Sequence, residues 1–249
     1  MLERLRGAGL IWPTAAALLA LGVLLALGTW QLQRKAWKDD LIARIAARVH
    51  ASPVELRPDI SIFLLGDLQY LRVSAHGTFH HDKERYVYAP TPSGLGWHVY
   101  TPLEIGPGAF VWINRGFVPD ARKSPASRSE GLVPGLVEVT GLIREMPTPG
   151  LFTPSNDVAR NLWYWPDLVA MQQSAFPTGP GGPSYYPFTI DADAQPEPPG
   201  GLPKGGVTRL DLPNRHLEYA ITWYGIALTL IGVYLAFAAS RLSLFSGHR

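Results

Sequence analysis

The stretch Asp211-Leu-Pro-Asn-Arg-His-Leu-Glu-Tyr-Ala-Ile-Thr-Trp-Tyr-Gly225 decides how this chain is organised. It runs into an apolar segment, and residues 219–240 contain no Asp, Glu, Lys or Arg. At a rise of about 1.5 Å per residue, a helix of this length matches the hydrocarbon core of a bilayer. Pro213 ends whatever precedes it, and Asn214 can cap the new helix. The pattern therefore predicts a transmembrane helix over residues 214–240.

His216 lies in the first turn of this predicted helix, at the expected boundary between water and lipid. Tyr219 and Trp223 follow it at spacings of three and seven residues, so they share its face. An imidazole above aromatic rings can be an axial ligand to haem iron, because a porphyrin needs an apolar, aromatic cleft. The alternative is an interfacial side chain that keeps its polar tip among the lipid headgroups. From the residues alone, both interpretations stay open.

A second charge-free segment lies near the N-terminus, in residues 7–33. Its length predicts another transmembrane helix, over residues 8–32. A cleaved signal peptide is the alternative, because Ala26-Leu-Gly28 resembles a small-x-small cleavage site. Beyond this segment, apolar residues recur every four positions among basic ones. This spacing predicts an amphipathic helical extension over residues 33–52.

Residues 54–206 have the composition of a single β-rich domain. Short runs of β-branched and aromatic residues alternate with turns that contain proline and glycine. The expected strands are residues 71–77, 85–89, 97–101, 109–113, 137–143 and 186–190, and a short strand and a helix are expected between Trp163 and Gln173. We therefore expect an antiparallel barrel or sandwich with one or two short helices. The whole chain is then an α+β membrane protein, in which two transmembrane helices bracket this domain.

Arg115 is a further candidate binding residue, in the motif Asn114-Arg-Gly116 after a strong strand. One interpretation of this motif is a turn, since glycine permits a positive φ and asparagine can bond its own backbone. The other assigns the guanidinium to a carboxylate, such as a haem propionate or an acidic residue of a partner.

Composition excludes several classes of function. A net charge of +2 with 17% charged residues indicates no nucleic-acid partner. Since the chain has no cysteine, disulfides, thiolate metal sites and covalent haem attachment are excluded. His80 and His81 do not form a metal site, because adjacent strand residues point to opposite faces. The sequence lacks the motifs of hydrolases, nucleotide-binding enzymes and zinc proteases, so we expect a protein that is not an enzyme.

Six motifs occur in order along the chain: Gly28-Thr-Trp-Gln-Leu-Gln-Arg-Lys-Ala-Trp-Lys38, Arg72-Val-Ser-Ala-His-Gly-Thr-Phe79, Asn114-Arg-Gly-Phe-Val-Pro119, Gly141-Leu-Ile-Arg144, Asn161-Leu-Trp-Tyr-Trp-Pro-Asp-Leu168 and Asn214-Arg-His-Leu-Glu-Tyr-Ala-Ile-Thr-Trp-Tyr-Gly225. Together they resemble the motifs of the surfeit-locus (Surf/Shy) cytochrome c oxidase assembly proteins, and the chain resembles a bacterial member of that family. Arg215 departs from the asparagine or acidic residue that other members often have there.

The resemblance implies a chaperone of the respiratory chain that binds haem a and aids its insertion into subunit I of a haem-copper oxidase. It places the iron ligand at His216, with Tyr219, Trp223 and Arg115 as the other expected cofactor-binding residues. The implied partners are cytochrome oxidase subunit I, haem a synthase and the lipid bilayer. A membrane scaffold that stabilises an assembly intermediate of subunit I without haem is the alternative.

The basic residues give two opposing indications of orientation. Arginines near both ends favour cytoplasmic termini, whereas the basic cluster after the first apolar segment favours the opposite. A long loop crosses a membrane largely regardless of its charge. We therefore expect cytoplasmic termini and a periplasmic domain, in a bacterial inner membrane.

Overall fold

The computed structural model describes residues 9–58, 66–91, 94–177, 183–208, 210 and 212–246, with the backbone alone for 244–246. Two long helices, α1 (Ile11–Val49) and α3 (His216–Ser246), bracket a β-rich domain that contains a short helix α2 (Leu168–Ala175). The expected fold class is thus confirmed. The chain divides into two compact units, Met1–Arg44 with Asp211–Arg249, and Ile45–Leu210.

Helices α1 and α3 are both long and apolar enough to cross a membrane, with mean hydropathies of 2.0 and 1.8 in their most apolar windows. Helix α1 runs without interruption through residues 11–49, while residue 8, where the first span was expected to begin, lies outside the described residues. Only 6% and 11% of the two apolar windows are buried. Such exposure is typical of helices whose apolar side chains face lipid rather than a protein core.

In the described part of the β-rich domain, eight strands, numbered β1 to β8 along the chain, form one sheet in the order β1-β2-β6-β8-β5-β4-β3-β7. Their bounds are Val54–Leu56, Arg72–Phe79, Arg85–Tyr88, Gly96–Gly106, Ala109–Pro119, Leu136–Glu145, Leu162–Trp163 and Ser184–Ala192, from β1 to β8. Short 3-10 turns occupy His81–Lys83, Asp120–Arg122, Pro125–Gly131 and Pro199–Gly201. Strands and turns alternate in the way the runs of β-branched and aromatic residues predict.

Strand β2 closes the sheet into a barrel, because it pairs with β6 on one side and with β4 on the other. The ring β2-β6-β8-β5-β4 is antiparallel except for the parallel pair β5–β8. If these five strands are renumbered 1 to 5 in chain order, their order around the barrel is 1-2-3-5-4-1. This is the strand order of the OB-fold. Strands β1 and β7 add two further parallel pairs outside the ring.

Alternation along the strands separates two apolar clusters. On β5, Val111 and Ile113 face the barrel interior with Phe188 and Ile190 of β8, and all four are almost fully buried. Trp112 points the other way and packs beneath helix α2 in a second cluster. The inner face of the barrel is therefore a filled core, and its outer face is available to carry polar groups.

The turn predicted at Asn114-Arg-Gly116 is wrong, because β5 continues through these residues to Pro119. The register between β4 and β5 shifts here, so the extra residue is absorbed as a β-bulge. Gly116 adopts a φ of +115°, which glycine tolerates at little cost. The local signal for positive φ was correct, but pairing on both sides of the strand keeps the backbone extended.

Candidate functional site

Helices α1 and α3 pack against each other in antiparallel directions. The Thr29 and Tyr224 hydroxyls lie 3.1 Å apart, and Lys38 donates to the Pro213 carbonyl oxygen at 2.6 Å. Residues later in α3 contact residues earlier in α1, as expected for two antiparallel helices. The first turn of α3 therefore lies beside the segment of α1 that follows its most apolar part.

Close approach of the helices depends on Gly28. A Cβ atom at this position would lie 2.8 Å from the ring of Tyr224, which is tighter than any ordinary contact. Small residues allow helix backbones to approach within a membrane, where packing rather than the hydrophobic effect drives association. Gly28 thus allows Tyr224 to lie across α1, next to the turn that carries Gln31.

Gln31 is the main contact of the His216 imidazole. Its side-chain oxygen lies 2.7 Å from His216 Nδ1, and Gln31 is only 9% exposed. An amide oxygen accepts hydrogen bonds and cannot donate them, so Nδ1 carries the proton. The other ring nitrogen, Nε2, forms no hydrogen bond with any residue in the described part of the chain. The contact with Gln31 thus restricts the orientation of the imidazole and directs Nε2 away from Gln31.

Asn214 connects the start of α3 to the same part of α1. Its amide nitrogen donates to Asp39 Oδ1 at 2.8 Å, and its oxygen accepts from the His216 backbone N–H at 3.4 Å. The predicted capping role is therefore combined with a bond between the helices. Both contacts restrict the backbone from which the imidazole extends.

Tyr219 and Trp223 lie on the first two turns after His216, as the spacing requires. Tyr219 is 55% exposed and Trp223 is half-buried, whereas Ala220 is almost fully buried. Near His216, Ala220 is therefore the side chain that is packed within the protein. The rings of Tyr219 and Trp223 lie beside it and retain exposed surface. Rings in this position can contact an apolar ligand without displacing the packed side chains.

Arg115 lies in the β-rich unit, where its guanidinium contacts a carboxylate of the same chain. It donates to Glu84 at 3.4 Å and to the Gly131 carbonyl oxygen, and it is 7% exposed. Glu84 also accepts from Arg128 and from the Tyr86 hydroxyl, the latter at 2.9 Å. These contacts account for the burial of two guanidinium groups in the domain.

The electrostatics of this network depend on Glu84. Burial by itself raises the pKa of the Glu84 carboxyl, but hydrogen bonds from His81 and Arg128, with the charges of Arg128 and Arg115, lower it to about 2. Burial lowers the pKa of Arg115 to about 10, against the opposing effect of the Glu84 charge. Both groups are therefore ionised at neutral pH and form a buried ion pair.

His80 and His81 bond to different partners. His80 Nε2 lies 2.9 Å from Glu104 Oε2, and His81 Nε2 lies 3.0 Å from the Val133 carbonyl oxygen. Within the described residues, no group of three or more His, Asp or Glu side chains could hold a metal ion. A haem ligand at His216 would be a single axial imidazole rather than part of such a group.

The sequence did not lead us to predict Gln31 as the partner of His216, or Glu84 as the counterion of two buried arginines. The signal for Gln31 was an amide within a charge-free apolar segment, where a polar side chain needs a partner. Glu84 offered no such signal, because it follows a polar turn and its arginine partners come 31 and 44 residues later.

The family model described as the SURF1 family matches residues 18–228 of this chain. A SURF1-like protein from Monosiga brevicollis is 38% identical over 239 residues, which cover 90% of this chain and 86% of that protein. Surfeit locus protein 1 from Homo sapiens is 39% identical over 218 residues, covering 81% of this chain and 69% of the human protein. The Mus musculus protein of that name is 38% identical over 216 residues, covering 80% and 67%. These relatives are eukaryotic and do not identify the chain as a bacterial member.

Proposed function

Because this chain belongs to the SURF1 family, which is linked to cytochrome c oxidase assembly, we propose that it is an assembly factor that binds haem a through His216 and aids its insertion into oxidase subunit I. The observation that carries the proposal is the 2.7 Å contact between His216 Nδ1 and the buried Gln31 amide oxygen. This role is one of binding and transfer, in which the chain itself catalyses no reaction.

The donor set around His216 fits an axial haem ligand. Metal-ligating histidines nearly always donate their second ring N–H to a fixed oxygen, which sets the tautomer and makes the ligating nitrogen more basic. Gln31 supplies such an oxygen, and Nε2 is the nitrogen that would hold the iron. When bound, haem a supplies the redox-active iron porphyrin that the oxidase requires.

Tyr219 and Trp223 are the proposed apolar contacts of the porphyrin. They lie one and two turns beyond His216 on α3, and both retain exposed ring surface. Aromatic surface of this kind stabilises a flat apolar ligand by packing, and residues 11–33 and 219–240 of the two helices carry no charged side chain. Arg115 is not included in the proposed site, because its guanidinium already bonds Glu84 and Gly131. Its assignment to a haem propionate stays a prediction.

We also propose the partners and location that this role requires. Haem a synthase supplies the cofactor, subunit I receives it, and the two long helices lie in the lipid bilayer. The arginines near both termini support cytoplasmic ends and a periplasmic β-rich domain in a bacterial inner membrane. Reporter fusions at each terminus and within residues 54–206 test this orientation directly.

The proposal is tested by the absorption spectrum of the full chain purified after co-expression with the enzymes of haem a synthesis. We expect the wild type to carry haem a and His216→Ala to carry none. His76→Ala removes a half-exposed imidazole on β2 and serves as the matched control, with unchanged haem content. Haem a retained by His216→Ala, or absent from the wild type, would contradict the ligand assignment.

Gln31 provides a second test that separates positioning from folding. Gln31→Leu is expected to weaken haem binding by about tenfold or more and to shift the haem absorption bands, since the tautomer of His216 is no longer set. Gln31→Glu keeps an acceptor and is expected to retain binding. A haem-free His216→Ala protein that still restores oxidase activity in cells would favour the scaffold function over haem transfer.

A further inference from the structure

A cavity of about 820 Å³ lies on the outer face of the barrel, within the β-rich unit. Its floor is formed by β4, β5, β6 and β8, and its walls come from the segments that follow β3 and β6. Small-molecule sites commonly enclose about 300–1,000 Å³. In OB-folds, ligands bind on the face of the second and third barrel strands, between the loops that follow the first and fourth strands. In this barrel the second and third strands are β4 and β5. The two loops correspond to the segments that form the walls of the cavity.

The floor of the cavity contains an acidic group whose oxygens are already bonded. Asp191 is 7% exposed and accepts from Asn114 Nδ2 at 2.9 Å and from Thr208 Oγ1 at 2.6 Å. The Arg144 Nε atom lies 3.8 Å from its second oxygen. Asp191 balances the charge of Arg144, and the exposed Glu145 at the end of β6 also lines the cavity.

Two hydrogen-bond donors beside Asp191 have no partner in the described part of the chain. They are the hydroxyl of Thr189, which is fully buried, and the Nη1 group of Arg144. The two residues are directly opposite each other in the β6–β8 register. The Arg144 guanidinium also packs over the Tyr70 ring at 4.6 Å, which holds its plane. Buried donors without acceptors are rare in folded proteins, because leaving them unpaired is unfavourable.

Tyr100 adds a third donor to the same floor. Burial, followed by the charge of Asp191, raises the pKa of its hydroxyl well above the ordinary value, so the group stays protonated. Apolar and aromatic side chains also line the cavity, among them Tyr88 of β3, Phe117 of β5 and Pro147 after β6. The cavity thus combines several donors at its base with flat apolar surface above them.

We propose that this cavity binds a small molecule with one carboxylate group and a flat apolar body. The carboxylate accepts hydrogen bonds from Arg144 and Thr189, and the body packs against Tyr88 and Phe117. Arginine favours a carboxylate because its planar fork matches the two oxygens. A phosphate dianion is disfavoured, since Asp191 would repel its second charge. This site lies entirely in the β-rich unit and does not depend on the proposed haem function.

The proposal is tested with 6-fluoro-2-naphthoate, whose ¹⁹F signal is followed while it is titrated with the full chain in lipid nanodiscs. Empty nanodiscs correct for partition into lipid. We expect saturable binding to the wild type and a loss of affinity of about tenfold or more in Arg144→Met, because a hydrogen bond to a charged group is removed. Arg160→Met removes an arginine whose side chain is 81% exposed, and it should bind as the wild type does.

Thr189→Val distinguishes ligand binding from a structural role. The substitution removes a buried hydroxyl without a partner, so the ligand-free protein should unfold at a higher temperature while its affinity for the naphthoate falls several-fold. Unchanged affinity in Thr189→Val, absence of saturable binding, equal binding of the uncharged 6-fluoro-2-naphthamide, or displacement by equimolar inorganic phosphate would each overturn the proposal.

Discussion

Replacing Glu84 with glutamine removes the carboxylate that two buried guanidinium groups share. Glu84 is 3% exposed, and Arg115 and Arg128 are 7% and 5% exposed. Glutamine has nearly the same shape and keeps an acceptor oxygen, but it carries no charge. Both guanidinium groups would then be buried without a counterion, so we expect a large loss of stability in the β-rich domain.

The size of this loss follows from the pKa of Glu84. A fall from the ordinary value of 4.5 to about 2 corresponds to about 3 kcal/mol of preferential stabilisation of the ionised form in the folded state. Removing one partner of a buried ion pair generally costs about 3–5 kcal/mol, which agrees in size. At about 2–4 °C per kcal/mol for a domain of this length, Glu84→Gln should unfold about 6–12 °C below the wild type.

The same reasoning predicts how stability depends on pH. The folded-state pKa of Glu84 lies below that of the unfolded chain, so its stabilisation is fully present above about pH 4.5. It is lost as the pH falls from there towards 2. Wild-type stability should therefore decrease steeply over this interval, and Glu84→Gln should show a shallower decrease because the titrating group is absent.

Thermal unfolding of the full chain, followed by intrinsic tryptophan fluorescence, measures both effects. Glu138→Gln is the matched control, since Glu138 lies on β6 of the same barrel and its side chain is 59% exposed. We expect this control to change stability by less than about 0.5 kcal/mol. If Glu84→Gln unfolds within about 1 °C of the control, or if both proteins have the same acid dependence, the buried pair does not stabilise the domain as argued.

Three further substitutions test the packing of the helices and the barrel, each by the unfolding temperature of the purified full chain. Gly116→Ala should destabilise the protein by more than about 2 kcal/mol, because the position has a φ of +115° and a Cβ would overlap a neighbouring carbonyl. An unfolding temperature equal to that of the wild type would refute this account of the bulge. Gly28→Leu should separate the long helices, since Tyr224 occupies the space beside it, whereas Gly22→Leu, at an open position of α1, is the control and should have little effect. Asp167→Ala removes the side-chain cap of α2 and should cost about 1 kcal/mol, and no change would show that the cap does not stabilise this helix.

Local patterns in the sequence were sufficient for the elements of the fold. The charge-free segments predicted two long apolar helices, and alternation of apolar and polar residues predicted the main strands. These predictions succeed because helix and strand periodicities depend on neighbours only a few residues apart. The capping role of Asn214 was also visible, since it depends on the next two residues.

Pairing between distant segments was not visible in the same way. The turn interpretation of Asn114-Arg-Gly116 failed because β4 pairs with β5 before and after the bulge, while Lys204 bonds the backbone of Phe117 on the other edge. The parallel pair β5–β8, which completes the barrel order, likewise joins residues about eighty positions apart. Local turn propensity is weak compared with two ladders of backbone hydrogen bonds.

From the sequence alone it follows that His216 lies in the first turn of an apolar helix with aromatic residues on the following turns, and the ordered motifs indicate the family. The packed structure was needed to find that Gln31 bonds the imidazole, that Glu84 neutralises Arg115, and that two donors on the outer face of the barrel lack a partner among the described residues. Both contacts join side chains far apart in the chain. Their partners depend on helix pairing and strand register, which emerge from the packing of the whole molecule rather than from any local spacing.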